Sequence, residues 1–349
     1  MRLGLNVGYV AGPDVAERVE TAVLADELGY DVVWAAEAYG SDAPTLLSWI
    51  GARTSRIDLG SAIMQIPART PAMTAMTAAT LDRLSEGRFR LGLGVSGPQV
   101  SEGWHGVRFE KPLARTREYV EIVRAALARE TVRHEGEFFT LPLPDGPGKA
   151  LKLMLHPQRA DLPVYLASVG PKNLELTGEI ADGWLAIFFA PEHASVSLDP
   201  LDAGLARAGR GRDGFDVVAT VPVVVGDDLE TCAAPLRPYT ALYVGGMGSR
   251  KQNFYNALAR RMGFDDAAQE VQDLYLDHQP REAAAAVPFE LIDQTALIGP
   301  RERIAERLHA YAEAGATTIA VSTFGETHDE RAAVLRTMAD ALDASGLGE

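Results

Sequence analysis

The octapeptide LASVGPKN, residues 166–173, follows PVY and precedes LELTGEIADGW. A run of strand formers ends in small residues, meets Gly-Pro and turns helical. Gly170 lets a ligand approach the backbone, and Pro171 takes the first helical position, where a missing N–H costs nothing. The N–H groups of Val169, Gly170, Lys172 and Asn173 then converge at the positive end of a helix, the arrangement that grips phosphate. Plain capping is the other use of such a turn. A second Gly-Pro turn, VSGPQVS (95–101), adds the hydroxyls of Ser96 and Ser101 around Gly97. Two such turns on neighbouring strands favour an anion.

The other strand ends supply amides, acids and rings. They are Asn6 and Tyr9, then Glu37, Tyr39 and Asp42, then Gln65 and Arg69. Glu102, Trp104 and His105 come next, followed by Phe188, Phe189 and His193, and last Ser322 and Thr323. No lysine closes a strand as a Schiff-base nucleophile would. No His and carboxylate cluster has metal-ligand spacing, so no metal is expected. No acid pair ends adjacent strands, as glycoside hydrolysis would ask. Such a rim suits a flat organic cofactor that brings its own reactivity.

Positioning these ends requires a repeating scaffold. Strand patterns fall at 3–9, 31–37, 57–63, 89–95, 163–168, 184–189, 217–226 and 317–324. Helical patterns separate them, at 14–29, 42–54, 71–87, 113–130, 171–181 and 301–315, with a last one from 329 to 343. Asp82 and Arg83 read as a helix-surface pair of little consequence. Strands apolar on both faces and joined by helices form a covered parallel sheet. Eight units favour an α/β fold, a closed (β/α)8 TIM barrel with its site at the carboxyl ends of the strands. An open doubly wound sheet would want G-x-G-x-x-G after the first strand, and VGYVAGPD lacks that spacing. The whole chain, 1–349, reads as one barrel domain. Its excursions are a hairpin at 134–162, with EGEFFTL and LKLML around PLPDGPGKA, and a mostly helical insertion at 245–294. VGGMGSRKQN and QTALIGP read as loops within the latter.

The net charge is −15, from 33 basic and 48 acidic residues, which argues against nucleic acid and anionic membrane as partners. A single cysteine, Cys232, permits no intrachain disulfide and reads as a small half-buried apolar group. MRLGLNVGYVAGPD reads as a first strand and not a leader, so a cytoplasmic location is expected.

Residues 59–106, LGSAIMQIPARTPAMTAMTAATLDRLSEGRFRLGLGVSGPQVSEGWHG, resemble the luciferase-like monooxygenase superfamily. So do PVYLASVGPKNLELTGEIADGW (163–184) and YVGGMG (243–248). The closer likeness is to the branch that uses coenzyme F420, an 8-hydroxy-5-deazaflavin, including methylene-tetrahydromethanopterin reductase. The resemblance covers almost the whole chain. It implies a deazaflavin in the barrel mouth, with its phosphate on the fifth-strand turn and its ring on a bulge after the third strand. That bulge often holds a cis non-proline peptide, here Ala62–Ile63. It also implies a homodimer. On this reading the cofactor contacts are Ala62, Ile63, Gln65, Ser96, Gly97, Ser101, Ser168, Val169, Gly170, Lys172 and Asn173. Trp104, Phe188 and Phe189 would wall the pocket, and Arg69 would meet either an anionic tail or a structural carboxylate.

The sugar-phosphate dehydrogenase of the branch carries Asp-His after the second strand and Glu after the fourth. Here the chain reads Glu37-Ala38 and Gly97-Pro98, so that activity is not expected. Glu37 keeps a carboxylate near the ring, and His105 is the remaining acid/base candidate. The expected function is hydride transfer between deazaflavin C5 and a small-molecule organic substrate. The alternatives are an FMN-dependent monooxygenase on the same scaffold and a non-catalytic F420 carrier.

Overall fold

A computed structural model describes residues 1–9 and 15–348. Residues 10–14, which hold most of the first strand-to-helix turn and the expected helix start at Asp14, lie outside them. The apolar runs form β1 (Arg2–Gly8), β2 (Val32–Ala35), β3 (Asp58–Ser61), β4 (Phe89–Gly94), β5 (Val164–Ala167), β6 (Gly183–Ile187), β7 (Asp216–Val225) and β8 (Thr318–Thr323). Each pairs in parallel with the next, and β8 pairs with β1, so the sheet closes. This is the expected (β/α)8 barrel. A parallel ring puts every strand's carboxyl end on one rim, where loop residues meet.

Helices cover the ring and start as the sequence signals. Asp42 caps Ala43–Gly51 by accepting the Thr45 N–H, and Thr70 caps Pro71–Leu84 through Met73 N–H. Inside the ring pack Val32, Trp34, Tyr165, Leu185, Val218 and Ala320. Trp34 and Tyr165 meet edge to face at 5.3 Å. The large indole sets a local requirement: a Cβ on Gly60 would lie 2.2 Å from Trp34 Cε3.

The third strand breaks where a bulge was expected. Residue 60 faces 90 and residue 64 faces 93, so four steps on one strand oppose three on the other. The extra residue lies at Ala62–Ile63, whose peptide is cis. Around the break Ser61 Oγ donates to Gly92 O (2.8 Å) and accepts Gly92 N–H (2.9 Å), replacing a ladder pair.

Five expectations are corrected. The hairpin in the first excursion closes early, with His134–Glu135 against Thr140–Leu141, and LKLML is not a strand. Its turn is tied down by Glu118, whose carboxylate accepts N–H from Glu137, Phe138 and Phe139 at 2.9–3.1 Å. Prolines 142, 144 and 147 deprive the following stretch of ladder donors. The second excursion turns helical earlier, from Leu229, and carries its own apolar cluster. Within QTALIGP, Leu297–Gly299 is a strand paired with the outer end of β7. Asp82 is fully buried and takes three hydrogen bonds from Arg159 (2.6–3.1 Å), which pins the first excursion to the barrel. Arg83 instead reaches Gln158. Cys232 is buried more fully than expected. Among the described residues no helix is long and apolar enough to cross a membrane.

The amino-terminal rim is closed by ions. Asp216 receives Arg2 (2.8 Å), Arg90 (3.4 Å), the Tyr165 hydroxyl (3.0 Å) and the Thr318 hydroxyl (2.9 Å). Arg90 also pairs with Asp58 at 2.7 Å. Removing one member of a buried network strands its partners, at a cost of about 3–5 kcal/mol. Asp216→Ala is therefore expected to lose that much in urea unfolding. A loss under 1 kcal/mol would show the network to be dispensable.

Candidate functional site

At the carboxyl rim β2 and β3 deliver a connected polar network. Glu37, just past β2, sits opposite the bulge, and its N–H donates to Ile63 O at 3.1 Å. Its carboxylate is fully engaged. Arg69 donates two parallel bonds of 2.7 Å, and the N–H groups of Gln65 and Ala43 each donate at 3.1 Å. Arg69 also pairs with Asp42. The structural pairing expected as one option for Arg69 is thus the one present. Four donors thus occupy the carboxylate that was read as an acid/base candidate, the bonding pattern of a positioning residue.

What Glu37 positions is Gln65. The Gln65 amide nitrogen donates to Ala38 O (3.2 Å), so its oxygen is the acceptor, and His105 Nε2 meets that oxygen at 2.7 Å. The oxygen accepts, so Nε2 carries a proton. Among the described residues Nδ1 has no protein partner. His105 and Gln65, predicted separately, are brought together here with the Ala62–Ile63 bulge beside them.

The fifth-strand turn matches its reading in most respects. Gly170 is the N-cap of helix Pro171–Ile180 and accepts no side-chain cap. Within the described residues the N–H groups of Val169, Gly170 and Lys172 have no hydrogen-bond partner. Asn173 is a correction: its N–H donates to Gly170 O at 3.0 Å, which removes it from the converging set. A Cβ on Gly170 would meet nothing within 4 Å, so the turn fronts open space. Lys172 is exposed and has no carboxylate partner among the described residues.

Sequence reasoning missed Arg261. It ends helix Phe254–Arg261 of the second excursion and donates to Val169 O at 3.0 Å. It has no ion-pair partner among the described residues, and desolvation pushes its pKa down. Two cations without ion-pair partners among the described residues thus stand beside three free amides, in a chain of net charge −15. The signal in RRMG was two arginines in an insertion, with nothing to say which strand end they would reach.

Several expected contacts are turned away. Ser101 is buried and its hydroxyl donates to Val107 O at 2.7 Å. Ser168 is buried, with its hydroxyl bound to that of Thr177 and its carbonyl accepting the Trp184 N–H at 2.9 Å. Both hydroxyls hold the fold. The helix after Ser96 and Gly97 spans only Pro98–Gly103, and Ser101 N–H bonds to Gly97 O. The second anion turn is therefore too short to match the first, and Ser96 has a left-handed backbone (φ 61°). Trp104 is exposed, and Phe189 turns outward onto Trp184 and Tyr311. Only Phe188 faces the rim. It joins Tyr239, Tyr243 and Tyr255, whose ring centres lie 5.6–6.2 Å from its own.

Residues 3–318 match the model of the luciferase-like monooxygenase family. The chain belongs to that family. It is an oxidoreductase of it. It is 46% identical over 329 residues to a putative coenzyme F420-dependent oxidoreductase of Mycobacterium tuberculosis, covering 92% of this chain and 95% of the relative. It is 30% identical over 301 residues to 5,10-methylenetetrahydromethanopterin reductase of Archaeoglobus fulgidus, with 85% and 86% covered. The coenzyme F420-dependent tetrahydromethanopterin reductase structure from Methanopyrus kandleri superposes with a TM-score of 0.80 over 97% of each chain, at 23% identity.

The Glu37 geometry yields a test. Glu37→Gln keeps the shape but replaces a charge-assisted fork with weaker bonds, worth about 1.5–3 kcal/mol. The variant is expected to lose that much stability and to free Gln65 and His105 to move, seen as a changed His105 ring signal in NMR. Unaltered stability and an unaltered His105 signal would remove Glu37 from the positioning role.

Proposed function

We propose that this chain is an F420-dependent oxidoreductase that transfers a hydride between the deazaflavin and a small organic substrate. The carrying observation is the open turn at 169–172, with three free amides, an unhindered Gly170 and unpaired Lys172 and Arg261. A phosphate monoester accepts several such donors at once. The F420 dependence named for the Mycobacterium tuberculosis and Methanopyrus kandleri proteins supports the same reading.

The bound deazaflavin would supply the hydride at its C5 carbon. The residues of the chain do the rest. Val169, Gly170, Lys172 and Arg261 hold the phosphate end. Ala62 and Ile63, partly buried against the barrel interior, offer an apolar bed for the ring. His105, oriented by Gln65, holds a proton on Nε2 and offers Nδ1 to a substrate or ring atom. The Glu37–Arg69 pair keeps this side of the mouth rigid, so that reacting atoms meet in a fixed geometry.

Titration of the purified protein with F420 and with FMN, followed by absorbance, tests the choice of cofactor. Saturable F420 binding is expected, and FMN binding without F420 binding would overturn it. Gly170→Leu should weaken F420 at least tenfold with no loss of melting temperature, because the side chain enters space empty in the free protein. Equal affinity in the folded variant would displace the phosphate from this turn. Arg261→Ala should weaken F420 more at low salt than at high salt, since its contribution is electrostatic. A salt-independent effect would assign Arg261 a packing role.

A further inference from the structure

The side chains that plug the ring show which way each strand faces. Trp34, Tyr165, Leu185, Val218 and Ala320 point inward and are buried. Gly4 faces inward too, because a Cβ there would lie 3.0 Å from Val32 Cγ1 and 3.2 Å from Trp34 Nε1. Side chains alternate along a strand, so the residue two steps toward the carboxyl end faces inward again, one layer higher. Those residues are Asn6 on β1, Ala167 on β5, Ile187 on β6, Thr220 on β7 and Ser322 on β8. All five are partly exposed, and they form the floor of the open mouth. Ala62 and Ile63 rest on the same plug from the β3 side. The two sides are tied strand to strand: Ala62 N–H donates to Ala35 O at 2.7 Å, and Ala36 N–H to Gly8 O at 2.9 Å. Ser322 therefore stands three strands from the bulge, roughly 14 Å along the wall at about 4.8 Å per strand.

This floor has two chemically different parts. On β3, β5 and β6 it is alanine and isoleucine, and on β7, β8 and β1 it is Thr220, Ser322 and Asn6. None of these side chains ionises. A flat ring lying on the bulge meets the apolar part, and whatever shares the mouth with it meets the hydroxyls and the amide. The aromatic wall of the second excursion borders the polar part. Tyr239 lies 5.5 Å from Phe324, just past β8, and 5.8 Å from Phe188, just past β6, and Tyr9 stands just past β1.

One chain of hydrogen bonds aims a donor here. Gly8 N–H donates to Asn6 Oδ1 at 2.9 Å, which fixes the orientation of the amide. Asn6 Nδ2 then donates to Ser322 Oγ at 3.0 Å. The Ser322 oxygen accepts, and its own proton has no protein acceptor among the described residues. The Thr220 hydroxyl is free as well, but no side chain among the described residues orients it.

Resting on the cofactor reading above, we propose that Ser322 is the substrate-contacting donor of this site. Its hydroxyl donates to the carbonyl oxygen of a neutral substrate seated over β7, β8 and β1. Asn6 is the positioning residue: by occupying the Ser322 oxygen it turns the proton toward the ligand. Two hydroxyls and an amide offer a ligand charge no counter-charge, so an uncharged oxygen is what this floor matches.

The test uses the full chain loaded with F420 and three variants, Ser322→Ala, Asn6→Asp and Thr323→Val. The last removes the neighbouring hydroxyl, which faces the other side of β8. The probes are cyclohex-2-enone and cyclohexene, which differ by the oxygen, with dissociation constants read by NMR titration. Cyclohexenone is expected to bind wild type and Thr323→Val alike, and Ser322→Ala about fivefold more weakly, the contribution of one neutral hydrogen bond. The carboxylate of Asn6→Asp can still accept Gly8 N–H, but it can only accept from Ser322. It draws the hydroxyl proton away from the ligand, so this variant should lose cyclohexenone as Ser322→Ala does. A merely structural role for Asn6 would leave cyclohexenone unchanged or weaken both probes, and either result strikes Asn6 from the assignment. Cyclohexene should bind all four proteins alike, with F420 affinity and melting temperature unchanged. Cyclohexenone binding that is absent in the wild type, unchanged in Ser322→Ala, or weakened there together with cyclohexene or F420 overturns the assignment of Ser322. If F420 binds none of the proteins, the cofactor reading falls, and the role of Ser322 is decided by the same two probes on the free protein.

Discussion

Eight parallel strands hydrogen-bonded into a ring leave the chain no choice about where its loops meet. A strand buried on both faces has only two ends to offer to water, and the parallel arrangement gives all carboxyl ends to one rim. Glu37, Gln65, His105, Gly170, Phe188 and Phe324 come from six different strand ends, separated by up to 287 residues of chain, and share that rim for this one reason. The opposite rim is closed by the Asp216 network, so the barrel is plugged below and open above.

The barrel was legible because its signal is periodic and repeated. Each strand is apolar almost throughout and each helix carries its own start and stop, so an error in one unit leaves the ring intact. The Gly170 turn was legible for a related reason, since local chemistry alone fixes it: Gly for approach, Pro at the first helical position, free amides behind. Burial of a single polar side chain was not legible. Ser101 and Ser168 read as cofactor contacts in the sequence and Asp82 as a helix-surface acid, yet all three are buried. Their partners, Val107, Thr177 and Arg159, lie 6, 9 and 77 residues away. The ties of Glu37 were hidden in the same way, because its partner, Arg69, lies on the next strand's loop.

The aromatic wall and Arg261 were missed because an insertion carries no periodic tie to the barrel. Tyr239 and Tyr243 do stand four residues apart in LRPYTALYVGG, the spacing that puts two side chains on one helix face. That spacing says the rings are neighbours; it does not say which strand ends they will face. The result is a mouth with two chemically different sides. Ionic and amide groups on β2 to β4 face phenols above β6, β8 and β1, with the anion turn of β5 at the flank.

The strand Leu297–Gly299 ties the end of the second excursion to the ring. The chain runs out of the ring through Val223–Val225, and Leu297–Gly299 runs parallel beside it, paired rung for rung. The far end of the excursion is therefore bonded, in the same direction, to the strand from which the excursion starts. Swinging it aside as a hinged flap would tear that ladder. The excursion is thus fastened twice, at its base by this ladder and at the rim by Arg261 on Val169 O and by Tyr239 between Phe188 and Phe324, so the wall it contributes to the mouth is a fixed one.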